Sequence, residues 1–133
     1  MKTKTIKQQI EFFATPVQLY NMLMDEKIHA AFTQAAAKIS NSVGGKFTAW
    51  DGYISGKNIE LIVGKKIVQE WTSTDMPDGH ISIITFEFAE QKKGNTLIKF
   101  THENVPADQY DELLKGWIDF YWEPMKQYLA NLK

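Results

Sequence analysis

The sequence of 133 residues contains no cysteine, so it can form neither a disulfide framework nor a thiolate metal site. The lack of cysteine suits a reducing cytoplasm, which is the compartment we expect. No apolar run approaches the roughly 20 residues that a membrane-spanning helix requires. The charged N-terminal sequence also lacks the apolar core of a signal peptide. These absences predict an intracellular protein without a membrane span.

Charge and short motifs exclude further function classes. The formal net charge is -1, which gives no global case for binding nucleic acid or an anionic membrane. No serine lies in a nucleophile elbow, and no glycine-rich nucleotide-binding loop is present. The three histidines, His29, His80 and His102, do not follow a metal-binding spacing. We therefore expect no metal, no cofactor and no nucleic-acid partner, and the sequence shows no catalytic motif.

The last quarter of the chain, residues 107–133, carries an apolar stripe that predicts one long amphipathic helix. The apolar residues recur at steps of three and four, and acidic residues occupy the first turns, where the helix dipole favours negative charge. The stripe is unusually aromatic and needs a surface that covers it. Its members are Tyr110, Leu113, Leu114, Trp117, Ile118, Tyr121, Met125, Tyr128, Leu129 and Leu132.

Gly116 and Pro124 interrupt this helix. A glycine costs roughly 1 kcal/mol against alanine in a helix interior. Pro124 removes a backbone hydrogen bond to Phe120 and predicts a kink. The kink would let the aromatic face bend around a sheet, and Gly116 would either help this bend or only permit close packing.

Upstream of this helix the sequence predicts a sheet with two short helices after its first strand. Residues 3–13 alternate as a strand. Thr15 and Pro16 resemble an N-cap and a first helical position, and Asp25 resembles the cap of a second helix. From residue 37 to residue 103 the apolar period is two, and turn residues separate the segments. The predicted strands there are residues 38–40, 46–50, 54–63, 65–73, 81–89 and 96–103.

The fold class that follows is α+β. Close spacing without intervening helices means antiparallel hairpins. We predict a curved antiparallel sheet of about six to seven strands around a long C-terminal α-helix. No linker or internal repeat divides the chain, so we expect a single domain over residues 1–133.

The first functional hypothesis is non-enzymatic binding of a small hydrophobic or aromatic ligand. Aromatic strand faces opposite an aromatic helix stripe are typical of an apolar pocket. The cavity would lie between the sheet and the C-terminal helix. Its apolar walls would be Trp71, Ile84, Phe86 and Phe100. Its polar anchors would be His102 and Tyr121, and its stacking surface would be Trp117.

His102 admits other interpretations. It continues an apolar strand face close to the start of the final helix, so an enzyme of the cyclase or dehydratase kind would use it as an acid or base. The simpler interpretation is a histidine at the edge of the core, bonded to the backbone or to a tyrosine hydroxyl. We favour the simpler one.

Ordered sequence blocks run through most of the chain. They are GGKFTAWDGYISG, KKIVQEW, TFEF at residues 85–88, Val105-Pro106 and GWIDFYWEPMKQYL. Together they closely resemble the activator of Hsp90 ATPase homologue 1 family, in its C-terminal-type domain, over residues 10–129. The resemblance implies the START-like, Bet v 1-like superfamily, whose helix-grip fold wraps an antiparallel sheet around a long C-terminal helix.

The resemblance also implies a second function. The family's eukaryotic co-chaperone has two domains, and its N-terminal domain, for which this chain has no room, is associated with stimulation of the Hsp90 ATPase. An Hsp90 co-chaperone-like or stress-response interaction module is therefore the alternative to ligand binding. Wider relatives include cyclases, aromatases and lipid carriers, so the fold alone does not choose among these functions. We rank ligand binding first, interaction second and catalysis third.

Overall fold

The computed structural model describes residues 1–132, which form a curved seven-stranded antiparallel sheet, two short helices and a long C-terminal helix. The sheet order is β1-β7-β6-β5-β4-β3-β2, so the last strand pairs with the first. This architecture confirms the predicted helix-grip fold. The strands are β1 (Thr3–Phe12), β2 (Lys38–Ile39), β3 (Lys46–Ala49), β4 (Ile54–Ile62), β5 (Lys66–Ser73), β6 (Ser82–Glu90) and β7 (Thr96–Pro106).

Two capped helices follow β1, as predicted. The first, α1, spans Pro16–Met24, and the second, α2, spans Glu26–Thr33. The hydroxyl of Thr15 accepts a hydrogen bond from the backbone N–H three residues on, at 3.2 Å. The carboxylate of Asp25 accepts hydrogen bonds from the backbone N–H groups two and three residues on, at 2.8 and 3.2 Å. These bonds satisfy N–H groups that a helix start otherwise leaves unpaired.

A π-helical turn divides the C-terminal helix. It occupies Ile118–Trp122, between α3 (Tyr110–Trp117) and α4 (Glu123–Asn131). The backbone N–H after the turn donates to the carbonyl of Ile118, five residues back. Pro124 follows directly and has no N–H to donate. The interruption therefore falls at the predicted proline and takes the form of one wider turn.

The π turn changes which side chains face the sheet. Because it contains one more residue than an α turn, it brings Trp122 into the core at 2% exposure and leaves Ile118 40% exposed. The predicted stripe included Ile118 and omitted Trp122, and that part of the prediction was wrong. Leu132 was also predicted in the stripe but is 57% exposed, because it follows the last helical turn. Lys133 lies outside the described residues.

The predicted strand faces form the core. Burial alternates along β5, β6 and β7, and their register places Gln69, Ile84 and His102 side by side. Gln8 of β1 fastens the helix to this buried face. Its Nε2 donates to a backbone carbonyl of α3 at 3.1 Å, and its Oε1 accepts from Trp122 Nε1 at 2.8 Å.

Candidate functional site

The side chains predicted to form the site lie together in the core. Trp117 is at their centre, with its ring centroid 4.5 Å from that of Phe100, 4.8 Å from Tyr121 and 5.9 Å from Trp71. Every member of the set is buried. The structure therefore brings together the whole predicted set, which is Trp71, Ile84, Phe86, Phe100, His102, Trp117 and Tyr121.

His102 is fully buried, and both of its ring nitrogens are hydrogen-bonded. Nδ1 accepts from Trp117 Nε1 at 3.0 Å, so Nε2 carries the proton and donates to Ser82 Oγ at 2.8 Å. The Ser82 hydroxyl donates in turn to the carbonyl of Trp71 at 2.7 Å. Burial lowers the pKa of His102 to about 3. These contacts favour the simpler interpretation, a core histidine, with Trp117 and Ser82 as its partners.

The hydroxyl of Tyr121 joins three elements. It accepts from Trp50 Nε1 at 3.2 Å and lies 3.1 Å from His29 Nε2 in α2. Burial raises the pKa of Tyr121 above its ordinary value and lowers the pKa of His29 to about 4. Within residues 1–132, His29 Nδ1 is the buried side-chain polar atom that has no hydrogen-bond partner.

Sequence reasoning missed Trp50 and His29 as members of this network. The helical spacing of His29 from Phe32 and Thr33 is the signal that could have placed it on the buried face of α2. Trp50 was predicted as the last residue of the strand at residues 46–50, but the strand ends at Ala49 and Trp50 lies in the turn that follows, so the alternation of the strand does not place its ring.

The space between the sheet and the C-terminal helix is almost filled. The cavity there has a volume of about 20 Å³, which is room for one water molecule. Large aromatic side chains such as Phe86 and Trp117 occupy the rest. A small organic ligand therefore does not fit at the predicted position while the core is packed in this way.

A larger space is a groove of about 360 Å³ beside the C-terminal helix. Three of the predicted residues, Trp71, Trp117 and Tyr121, line both the groove and the interior cavity. They therefore separate the two spaces and form the inner wall of the groove. The other residues that line the groove are Trp50, Tyr53, Ile54, Glu112, Leu113, Gly116 and Phe120.

The turn that forms the groove's outer wall has an unusual backbone. Trp50, Asp51 and Gly52 all have positive φ, at 54°, 58° and 93°. A left-handed conformation disfavours residues with a Cβ, so the first two residues are strained. Asp51 is held by two hydrogen bonds with Ala36: its Oδ1 accepts from the N–H at 2.9 Å, and its own N–H donates to the carbonyl at 3.1 Å. The turn thereby fixes the Trp50 ring at the groove.

Residues 1–132 contain neither a metal-binding cluster nor a membrane-spanning helix. That part of the chain holds no group of three or more His, Cys, Asp or Glu side chains placed to bind a metal ion. None of its helices is both long enough and apolar enough to cross a membrane.

A family model and individual known proteins both assign this chain to the same family. The model of the family described as "Activator of Hsp90 ATPase homolog 1-like protein" matches residues 14–130. The "Activator of 90 kDa heat shock protein ATPase homolog 1" of Homo sapiens is 34% identical over 116 residues, which are 87% of this chain and 34% of that protein. The Dictyostelium discoideum homolog is 33% identical over 115 residues, 86% of this chain and 30% of that protein. This chain thus spans about a third of the length of these relatives.

Solved structures with the same fold match over nearly their whole length. A Plasmodium falciparum protein described as an HSP90 activator has a TM-score of 0.90 and 26% identity, covering 95% of this chain and 96% of that one. The Aha1 dimer of Colwellia psychrerythraea has a TM-score of 0.78 and 21% identity, covering 92% and 93%. Because the Colwellia psychrerythraea protein is only 21% identical, its similarity to this chain shows the fold alone.

Proposed function

Because the chain belongs to the Activator of Hsp90 ATPase homolog 1-like protein family, we propose that it acts as an Hsp90 co-chaperone-like protein that binds Hsp90 in the cytoplasm. The observation that carries this proposal is the Plasmodium falciparum structure. That protein is described as an HSP90 activator, and its chain has nearly the same extent as this one. The proposal therefore rests on the part of the fold that the two chains share.

An NMR titration of the isotope-labelled protein with Hsp90 tests this function. We expect saturable shifts or line broadening confined to one surface, together with a change in the steady-state ATPase rate of Hsp90. An unrelated ATPase of similar size serves as the control partner. Unchanged spectra at about 0.5 mM Hsp90, where even weak partners bind, would contradict the proposal.

The groove supports a second candidate function, the binding of a small hydrophobic or aromatic molecule. Its volume of about 360 Å³ lies in the range of small-molecule sites, and its walls are mostly apolar. We propose the groove, rather than the interior cavity of about 20 Å³, as the ligand site. Trp71, Trp117 and Tyr121 from the predicted set would contact the ligand from the inner side.

Native mass spectrometry of protein purified from its own source tests the second function. A reproducible extra mass that disappears on denaturation is the expected result. The bound molecule, once released and identified, should shift the indole N–H resonances of Trp50 and Trp117 when it is added back. An extra mass that leaves both resonances unmoved would contradict binding in the groove.

A further inference from the structure

We propose that the groove selects small organic cations that carry an aromatic ring, the chemical class of the arylalkylamines. This inference rests on the ligand-binding function proposed above and adds the charge of the ligand. Three features of the groove support the inference. They are a glycine that neither the helix backbone nor its packing requires, walls of aromatic side chains, and a carboxylate on the rim.

The glycine is Gly116, which belongs to α3 and lines the groove. Glycine is the least favourable helix residue after proline. Its φ is not positive, and a Cβ built there would meet only Phe120 Cδ2, at an ordinary 3.8 Å. Neither the backbone conformation nor close packing therefore requires glycine here. What the missing side chain does provide is open space in the groove.

The aromatic walls suit a flat ring and a cation. Phe120 is 55% exposed, although it is a large apolar side chain, and its ring packs edge-on against Trp50 with centroids 5.5 Å apart. This pair forms the outer rim over Trp117, which lies deeper. Tryptophan, tyrosine and phenylalanine faces attract cations through the negative potential of their rings. The six aromatic residues of the lining are Trp50, Tyr53, Trp71, Trp117, Phe120 and Tyr121.

The charge on the rim is negative. Among the described residues that line the groove, Glu112 is the one with a formal charge. The hydroxyl of Tyr53 donates to Asp75 Oδ2 at 2.5 Å. Burial raises the pKa of Tyr53, and the hydrogen bond to Asp75 and the charges of Asp75 and Glu112 raise it further. The nearby cation Lys115 pairs with Asp119 at 3.3 Å and does not line the groove.

A series of three ligands with one ring system tests the inference. Tryptamine is a cation, tryptophol is its neutral alcohol, and indole-3-propionate is an anion of similar size. Titrations are followed by the NMR resonances of the four tryptophan indole N–H groups of the protein. We expect tryptamine to bind about tenfold more tightly than tryptophol, as a cation–π contact and one rim carboxylate together would give, and indole-3-propionate to bind most weakly.

Two variants locate the binding and the charge preference. Gly116→Leu fills the groove and should weaken tryptamine binding at least about tenfold, since the ligand loses its space. Gly116→Ala fills less and should weaken it less. Gln127→Leu adds the same side chain to an exposed position of α4, outside the groove, and is the matched control. Glu112→Gln should narrow the difference between the affinities for tryptamine and tryptophol, and the cation–π part of the preference should remain.

The outcomes separate this inference from the function on which it rests. Equal affinity for tryptamine and tryptophol would overturn the charge preference and leave ligand binding in the groove standing. Failure of all three compounds to bind would overturn this inference, and native mass spectrometry would then decide separately whether the groove binds a ligand of another class. Full tryptamine affinity in Gly116→Leu, with the thermal unfolding of the variant unchanged, would show that the site is not this groove.

Discussion

The Tyr121 hydroxyl is a single polar group that connects the C-terminal helix to α2 and to the turn at residues 50–52 through hydrogen bonds. Its partners, Trp50 and His29, are 71 and 92 residues away in the chain. A buried hydrogen-bond group is costly to leave unpaired, so removing this hydroxyl affects both partners.

Tyr121→Phe should therefore destabilise the fold by about 1–3 kcal/mol, because Trp50 Nε1 and His29 Nε2 lose their partner. Urea unfolding measures this change. Tyr53→Phe is the matched control, since Tyr53 is 39% exposed and its bond to Asp75 lies at the surface. Equal losses in the two variants would show that the buried network adds no more to stability than the hydrogen bond at the surface.

At the scale of elements, the turn at residues 50–52 holds the outer wall of the groove in a strained conformation. Asp51 is suited to its position for two reasons. Aspartate tolerates a left-handed backbone better than most residues, and its carboxylate caps the N–H of Ala36. The turn is thus held by one side chain that meets a conformational and a hydrogen-bonding requirement together.

Asp51→Ala should cost about 1–2 kcal/mol, because the left-handed residue loses its hydrogen bond to Ala36. Asp51→Asn keeps an acceptor and the tolerance of positive φ, so it should stay within about 0.5 kcal/mol of the wild type. Thermal unfolding compares the variants, and the indole N–H resonance of Trp50 reports the turn. Similar stability of the alanine and asparagine variants would contradict this account.

At the scale of the whole molecule, two buried neutral histidines make stability depend on pH. The pKa values of His29 and His102 are about 4 and about 3 in the folded protein, against an ordinary value of 6.5. As the pH falls below 6.5, the unfolded chain takes up protons that the folded protein does not. Their contribution to stability is therefore full above pH 6.5 and is lost progressively as the pH falls toward the folded pKa values.

Urea midpoints between about pH 6.5 and about pH 5 should decrease, with each histidine contributing up to about 1.4 kcal/mol per pH unit. The His102→Gln variant keeps an acceptor for Trp117 and a donor for Ser82 but has no proton to gain. It should show a clearly shallower slope, and a slope equal to the wild type would contradict the assignment.

Local patterns in the sequence determined the elements, the strand faces and the fold class. An apolar period of two fixes which side of β5, β6 and β7 is buried, and the caps at Thr15 and Asp25 fix where α1 and α2 begin. These features depend on side chains a few residues apart, so a one-dimensional pattern contains them. The same patterns predicted that the seven proposed site residues would share one core.

Tertiary structure alone decided the π turn's effect on Trp122 and Ile118, the partners of His102 and Tyr121, and the position of the larger open space. Each depends on how segments far apart in the chain fill a common volume. Trp50 and Phe120, for example, are in contact at the rim of the groove although they belong to a turn and to the final helix. Volume and hydrogen-bond partners are properties of that three-dimensional packing, and no periodicity along the chain encodes them.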